Sequence, residues 1–144
     1  MVGINTDEVT TPHEVRNAFD QALADPNPLH WVVTVQGRCI GTAFLHSLVK
    51  NDQRARYAIG IFEPSDWGKN FGTETTRLVL DYAFGQLGLH RVDVRVLAYN
   101  QGALRCYEKC GFVSERVERE SAWVDGQWHN DIIMGILVHE HLSA

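Results

Sequence analysis

The sequence predicts a single α/β domain whose helices pack on a mixed sheet. Three observations lead to that class. The 144 residues are 44% hydrophobic and 22% charged, ordinary globular proportions for one core. Apolar residues recur at helical spacing in three stretches, while six others are β-rich runs, several with two-residue alternation. The two kinds of element interleave as helix, three strands, helix, strand, helix, two strands.

Within the first 28 residues, Thr11-Pro12 precedes Val15, Ala18, Phe19, Ala22 and Leu23, which share one helical face. Thr11 reads as the N-cap, and Pro26 and Pro28 end that helix. Three β-rich runs follow at 29–35, 38–48 and 56–62. Gln36-Gly37 is the first turn and the polar stretch 50–54 closes the second hairpin, so the three form an antiparallel meander. Over 73–86, Leu78, Val79, Tyr82, Ala83 and then Leu87 mark an amphipathic helix, terminated by Gly85 and Gly88. The run 91–97 alternates Val92, Val94 and Val96 with Asp93 and Arg95, as a half-buried strand does. A helix over 101–109 ends at Gly111, and 112–118 and 131–137 are the last strands, joined through Trp123, Val124 and the Asp125-Gly126 turn.

A net charge of −5 argues against a general nucleic-acid binder, which needs a cationic face for phosphates. Cys39, Cys106 and Cys110 cannot all pair within one chain, and no signal-peptide pattern opens the sequence, so a reducing cytoplasm is expected. No apolar run approaches the roughly 20 residues that cross a bilayer, so no membrane association is expected.

Two segments carry chemistry. The connection between Phe62 and the helix near Thr73 reads Glu63-Pro-Ser-Asp-Trp67-Gly68-Lys69-Asn70-Phe71-Gly72. A strand-to-helix turn of this kind can aim backbone N–H groups at one spot, where the helix dipole adds about half a positive charge and seats a phosphate. Taken alone, the two glycines are better explained by a tight connection that needs positive φ. The second segment, Asn100-Gln-Gly-Ala103-Leu-Arg-Cys-Tyr107-Glu-Lys-Cys-Gly111-Phe112, lies where the 91–97 strand hands over to a helix.

With Asp81-Tyr82-Ala83-Phe84 and Leu87-Gly88-Leu89-His90-Arg91, that pattern resembles the GNAT acetyltransferase superfamily, and most of all its ribosomal-protein and spermidine acetyltransferase branch. The resemblance covers 60–137. It implies a mixed, mostly antiparallel sheet of about six to seven strands with a V-shaped splay, in which acetyl-coenzyme A lies. The residues it implies for the cofactor are backbone groups of Ile61 and Phe62 for the pantetheine amides and the turn of Trp67, Gly68, Lys69, Asn70, Phe71, Gly72 and Thr73 for the pyrophosphate. Asn100, with Ala103, meets the cofactor's arm. Tyr107 becomes the catalytic acid beside the thioester sulfur.

The chemistry asks for such parts. Attack on a thioester builds negative charge on the carbonyl oxygen, which a preorganised N–H stabilises, and a β-bulge near Gly60 is expected to supply one. A tyrosine near pKa 10 can protonate a thiolate near 8.5. An amine near 10.4 must first lose its proton. Glu63, Asp93, His46, Glu120 or a water are the candidate bases, and the sequence does not choose. Direct transfer is expected, because neither Cys106 nor Cys110 has an evident activating histidine.

Two departures from the family pattern stand out: Asn70 replaces a glycine and Trp67 an Arg or Gln, and the N-terminal strand and helix are shortened. Asparagine tolerates the left-handed region, so the turn is expected to survive with weakened cofactor binding. Trp31, Trp123 and Trp128 read as core or interface residues. His139-Glu140-His141 reads as a solvated tail, with no metal expected. Cys106 and Cys110 read as small packing residues, while Arg77, Arg105 and Lys109 either steer the anionic cofactor or simply solubilise helices. The expected function is N-acetyl transfer from acetyl-coenzyme A to a small amine, a polyamine-like compound or a protein N-terminus, with a homodimer favoured; a non-catalytic acyl-coenzyme A sensor is the alternative.

Overall fold

The computed structural model describes residues 2–5, 29–62, 65 and 68–142, the first four by their backbone alone. The helix expected over 12–23 lies outside the described residues, as do Glu63 and Trp67.

Seven strands form one sheet: β1 (Val2–Asn5), β2 (Leu29–Val35), β3 (Arg38–Val49), β4 (Arg54–Ile61), β5 (Arg91–Leu97), β6 (Val113–Val124) and β7 (Gln127–Leu137), in the spatial order β1-β2-β3-β4-β5-β7-β6. Helix α1 (Phe71–Gly85) joins β4 to β5, α2 (Gln101–Lys109) joins β5 to β6, and α3 (Val138–Leu142) follows β7. The β2-β3-β4 meander, both major helices and β5 stand where periodicity placed them. β1 was not expected, because four residues are too few to show a period; it exists by pairing with β2 from Val2↔Val35 to Asn5↔Val32.

Among the described residues the β4–β5 pair is the single parallel ladder, and α1 provides the long crossover such a pair requires. It holds from Arg54↔Arg91 only to Tyr57↔Val94. Beyond that row β4 stays with β3 as far as Gly41↔Ile61, while β5 stays with β7 as far as Leu97↔Asp131. The two central strands therefore part, and the V-shaped splay is present.

Alternation along β5 sorts the sheet's faces. Val92, Val94 and Val96 are buried with Tyr57, Met134 and Ile136 in a core that includes Val79, Leu80 and Ala83 of α1. Val79 and Leu80 are fully buried, each contributing about 1.5–3 kcal/mol of hydrophobic stabilisation. On the opposite face Arg56 and Arg91 both pair with Asp93, and Arg91 also pairs with Glu115. Arg95 and the Ser121 hydroxyl both donate to the buried Asp131.

Two expectations are corrected. The last hairpin runs to the Asp125-Gly126 turn, whose φ values of 50° and 77° suit a tight hairpin turn, so both strands are longer than 112–118 and 131–137. Register breaks between Ser114 and Arg116 and between Glu118 and Ala122 explain why no clean alternation marked this edge strand. The tail is not simply solvated either: the Leu137 N–H donates to Glu140 Oε1, and His141 bonds Asp81 Oδ1 at 2.7 Å and packs on Phe84.

Candidate active site

The opening of the V is set by backbone direction. The Phe62 N–H donates to Ile40 O at 2.8 Å, and backbone groups alternate sides along a strand. Ile59 and Ile61 therefore direct theirs away from β3, toward the side that β5 has left. Phe62 is corrected in part, since its N–H is already spent on β3.

Gly41 belongs to this construction and was missed. A Cβ there would collide with the Gly60 carbonyl oxygen, so only glycine lets β3 approach β4 at the mouth. A lone glycine inside a strand pattern was the available signal. The bulge expected near Gly60 is absent: the β3–β4 register is continuous from Gly41↔Ile61 to His46↔Arg56, and its irregularity falls between His46 and Val49.

The turn entering α1 has the conformation its residues permit. Gly68 has φ 75° and Asn70 φ 63° with ψ 11°, so asparagine occupies the left-handed region here. The Asn70 side chain makes no cap bond, and the first helical bond runs from Glu74 N–H to Asn70 O. The N–H groups of Phe71, Gly72 and Thr73 precede it and gather at the positive end of the helix. Lys69 is exposed beside them. Thr73 is buried, its hydroxyl donating to Cys106 Sγ at 3.4 Å.

Asn100 is the N-cap of α2: its Oδ1 accepts from Ala103 N–H at 3.1 Å, which occupies that oxygen and leaves the Nδ2 donors without a partner among the described residues. Ala103 is half-buried against the core. Arg77 does more than solubilise its helix: its Nη2 donates to Lys109 O at 3.2 Å, where cationic groups favour a helix C-terminus.

Tyr107 stands at the fork. Its ring packs edge-on against Tyr57, the last β4 residue paired with β5, with centroids 6.3 Å apart, and against Phe112 at 5.4 Å. The residue is 7% exposed, and its hydroxyl has no hydrogen-bond partner among the described residues. Burial raises the Tyr107 phenol above its ordinary value, and neighbouring Cys106 and Cys110 raise it further. Tyr57 is raised too, chiefly by burial, while its bond to the Thr76 hydroxyl opposes the shift.

The candidate bases separate by position. His46 and Asp93 both lie in register with Arg56, one row inside the closed end of the V. Asp93 accepts from Arg56 Nε at 2.9 Å and from Arg91 Nη2 at 3.4 Å, while His46 is buried with Nδ1 at 2.9 Å from Ser47 Oγ. Glu120 lines a shallow concavity with Arg119 and Asn130. That concavity adjoins the open end of β5, because Ala98 N–H donates to Asn130 O at 2.9 Å. Trp31 lies in the core, whereas Trp123 and Trp128 are exposed and stack edge-on at 4.8 Å near the β6–β7 turn.

The sequence matches the acetyltransferase (GNAT) domain model over residues 3–113. It is 34% identical over 100 residues to a probable N-acetyltransferase of Bacillus subtilis, covering 69% of this chain but 55% of that protein. It is 29% identical to the spermidine N(1)-acetyltransferase of Escherichia coli K12, covering 90% of this chain and 69% of that one. A crystal structure of mutant forms of the spermidine/spermine N-acetyltransferase from Vibrio cholerae superposes with a TM-score of 0.76 at 29% identity, covering 87% of this chain and 75% of that one. A domain model spanning most of the chain, together with a forked sheet and its tyrosine, places this chain in the GNAT acetyltransferase family.

Proposed function

We propose that the chain transfers an acetyl group from acetyl-coenzyme A to a primary amine by direct attack on the thioester. The observation that carries this reading is the parting of β4 from β5 beyond Tyr57↔Val94, with Tyr107 on Tyr57 at the fork. In this reading Ile61 and Asn100 hold the cofactor's arm, and Gly68, Lys69, Asn70, Phe71, Gly72 and Thr73 seat its pyrophosphate, with Trp67 completing that turn. Ala103 packs beside Asn100.

Tyr107 donates its proton to the departing thiolate. Burial keeps the phenol protonated, and the same dry surroundings make the thiolate more basic, so donor and acceptor shift together. Among the described carboxylates Glu120 faces the concavity at the open end of β5, whereas two arginines already hold Asp93. A tyrosine hydroxyl without a partner among the described residues is suited to donation, which a binding-only sensor would not need.

The acceptor is a small, polyamine-like or N-terminal amine. The net charge of −5 suits a cation, and two similar proteins bear spermidine in their names. The chain works as a homomer in the cytoplasm: edge strand β6 exposes Val113 and Val117, near exposed Trp123 and Trp128, and a spermidine N-acetyltransferase structure from Vibrio cholerae is dodecameric. Thiol release from acetyl-coenzyme A, measured against a panel of amines, tests the reading. Amine-dependent turnover is expected, and coenzyme A binding with no turnover for any amine refutes it.

A further inference from the structure

Two thiols of α2 meet the first turn of α1. Cys106 and Cys110 lie four residues apart, hence on one helical face. The Thr73 hydroxyl donates to Cys106 Sγ, and Cys110 Sγ donates to Thr73 O at 3.7 Å. A Cβ on Gly72 would stand 3.6 Å from Cys106 Sγ. The Cys106 sulfur therefore rests against the residues whose early N–H groups carry the positive end of α1, with Lys109 nearby. Cys106 is partly exposed and Cys110 buried. A partly exposed sulfur at a helix N-terminus beside a cation is the setting in which thiols become nucleophilic. Neighbouring Cys110 and the hydrogen bond from Thr73 lower the Cys106 thiol against burial, and Cys110 is raised in turn.

We propose that Cys106 and Cys110 form a dithiol modification site, in which Cys106 attacks a low-molecular-weight disulfide and Cys110 resolves the adduct into a reversible Cys106–Cys110 disulfide. In the first step the Cys106 thiolate bonds to one sulfur of R–S–S–R, the S–S bond breaks, and RS⁻ leaves to take a proton from solvent. In the second, Cys110 gives its proton to solvent and attacks the Cys106 sulfur, expelling the second RS⁻. The protein dithiol is oxidised by two electrons, and the small disulfide is reduced to two thiols.

Closure needs the last turn of α2 to open, since Cβ atoms four apart in a helix are ~5–6 Å apart and a disulfide needs about 3.5–4.5 Å. The site allows it: the helix ends at Lys109, Cys110 is its C-cap, and Gly111 follows with φ 100°. Tyr107 lies between the two thiols in sequence, so closure moves it. That consequence for activity rests on the function proposed above, whereas the thiol chemistry does not.

Exposed Cys39 is the internal control. The native chain is treated at neutral pH with bis(2-hydroxyethyl) disulfide, quenched with acid and mapped by mass spectrometry. The expected result is a Cys106–Cys110 cross-link in the native chain, and in Cys110→Ser a stable adduct on Cys106 formed several-fold faster than on Cys39, because the Thr73 hydroxyl and the positive end of α1 still face the Cys106 sulfur. Faster labelling of Cys39, or a Cys106 adduct that persists in the native chain, overturns the proposal. If Cys110→Ser does not fold, brief iodoacetamide treatment of the native chain keeps the test: Cys106 must alkylate ahead of Cys39, and the reverse order overturns it.

Discussion

Replacing Tyr107 with phenylalanine separates a chemical role from a packing role. The ring contacts with Tyr57 and Phe112 survive the change, and no hydrogen bond to a described residue is broken with the lost hydroxyl. Stability should therefore move by no more than about 0.5 kcal/mol. A general acid, by contrast, contributes roughly 10²–10⁴ in rate, which is ~2.7–5.4 kcal/mol at 1.36 kcal/mol per decade. The assay is steady-state thiol release with the preferred amine, paired with thermal unfolding of both proteins. The expected outcome is a fall in kcat of at least about a hundredfold with KM for acetyl-coenzyme A little changed. A kcat within about threefold of wild type in a folded variant would refute Tyr107 as the acid.

Stability should also depend on alkali through the two buried phenols. Their folded pKa values are raised, so the folded chain keeps protons that the unfolded chain releases above pH ~10, and stability falls as pH climbs past that value. Denaturant midpoints at about pH 9 and 11 should show a smaller loss for Tyr107→Phe than for wild type. Gly41→Ala sets a methyl against the Gly60 carbonyl and should cost about 1–3 kcal/mol by thermal melt, with weaker coenzyme A binding by calorimetry because the mouth must widen. Arg95→Ala leaves Asp131, only 4% exposed at its side chain, without its charge partner. The loss should be about 2–3 kcal/mol in urea unfolding, below the fully buried range because Arg95 is partly exposed. Asn70→Gly removes a side chain from the left-handed position at φ 63° and should tighten coenzyme A binding several-fold by titration; unchanged affinity would show that asparagine costs the turn nothing.

Most of the framework was legible because it rests on short-range periodicity. The valines of β5 alternate and are buried as their period demands, and α1 buries the face that its apolar spacing marks. The Asn100 to Phe112 pattern pointed to the fork before any fold was known, and Tyr107 stands there. Features built from distant partners were not legible. β1 is visible only through β2, the length of the last hairpin is masked by two register breaks, and 138–142 ceases to be a tail only once Asp81 and Phe84 are beside it.

The sequence by itself determined the order of elements from β2 to β7 and singled out Tyr107 as the candidate acid, because side-chain period, turn residues and motif spacing are local properties of the chain. The tertiary structure alone decided where β4 and β5 stop pairing, which backbone groups turn toward the gap, that Gly41 must lack a side chain, and that Cys106 touches the first turn of α1. Each of these is a distance between segments far apart in sequence, set by how the sheet twists and how its helices pack, and no local pattern encodes it.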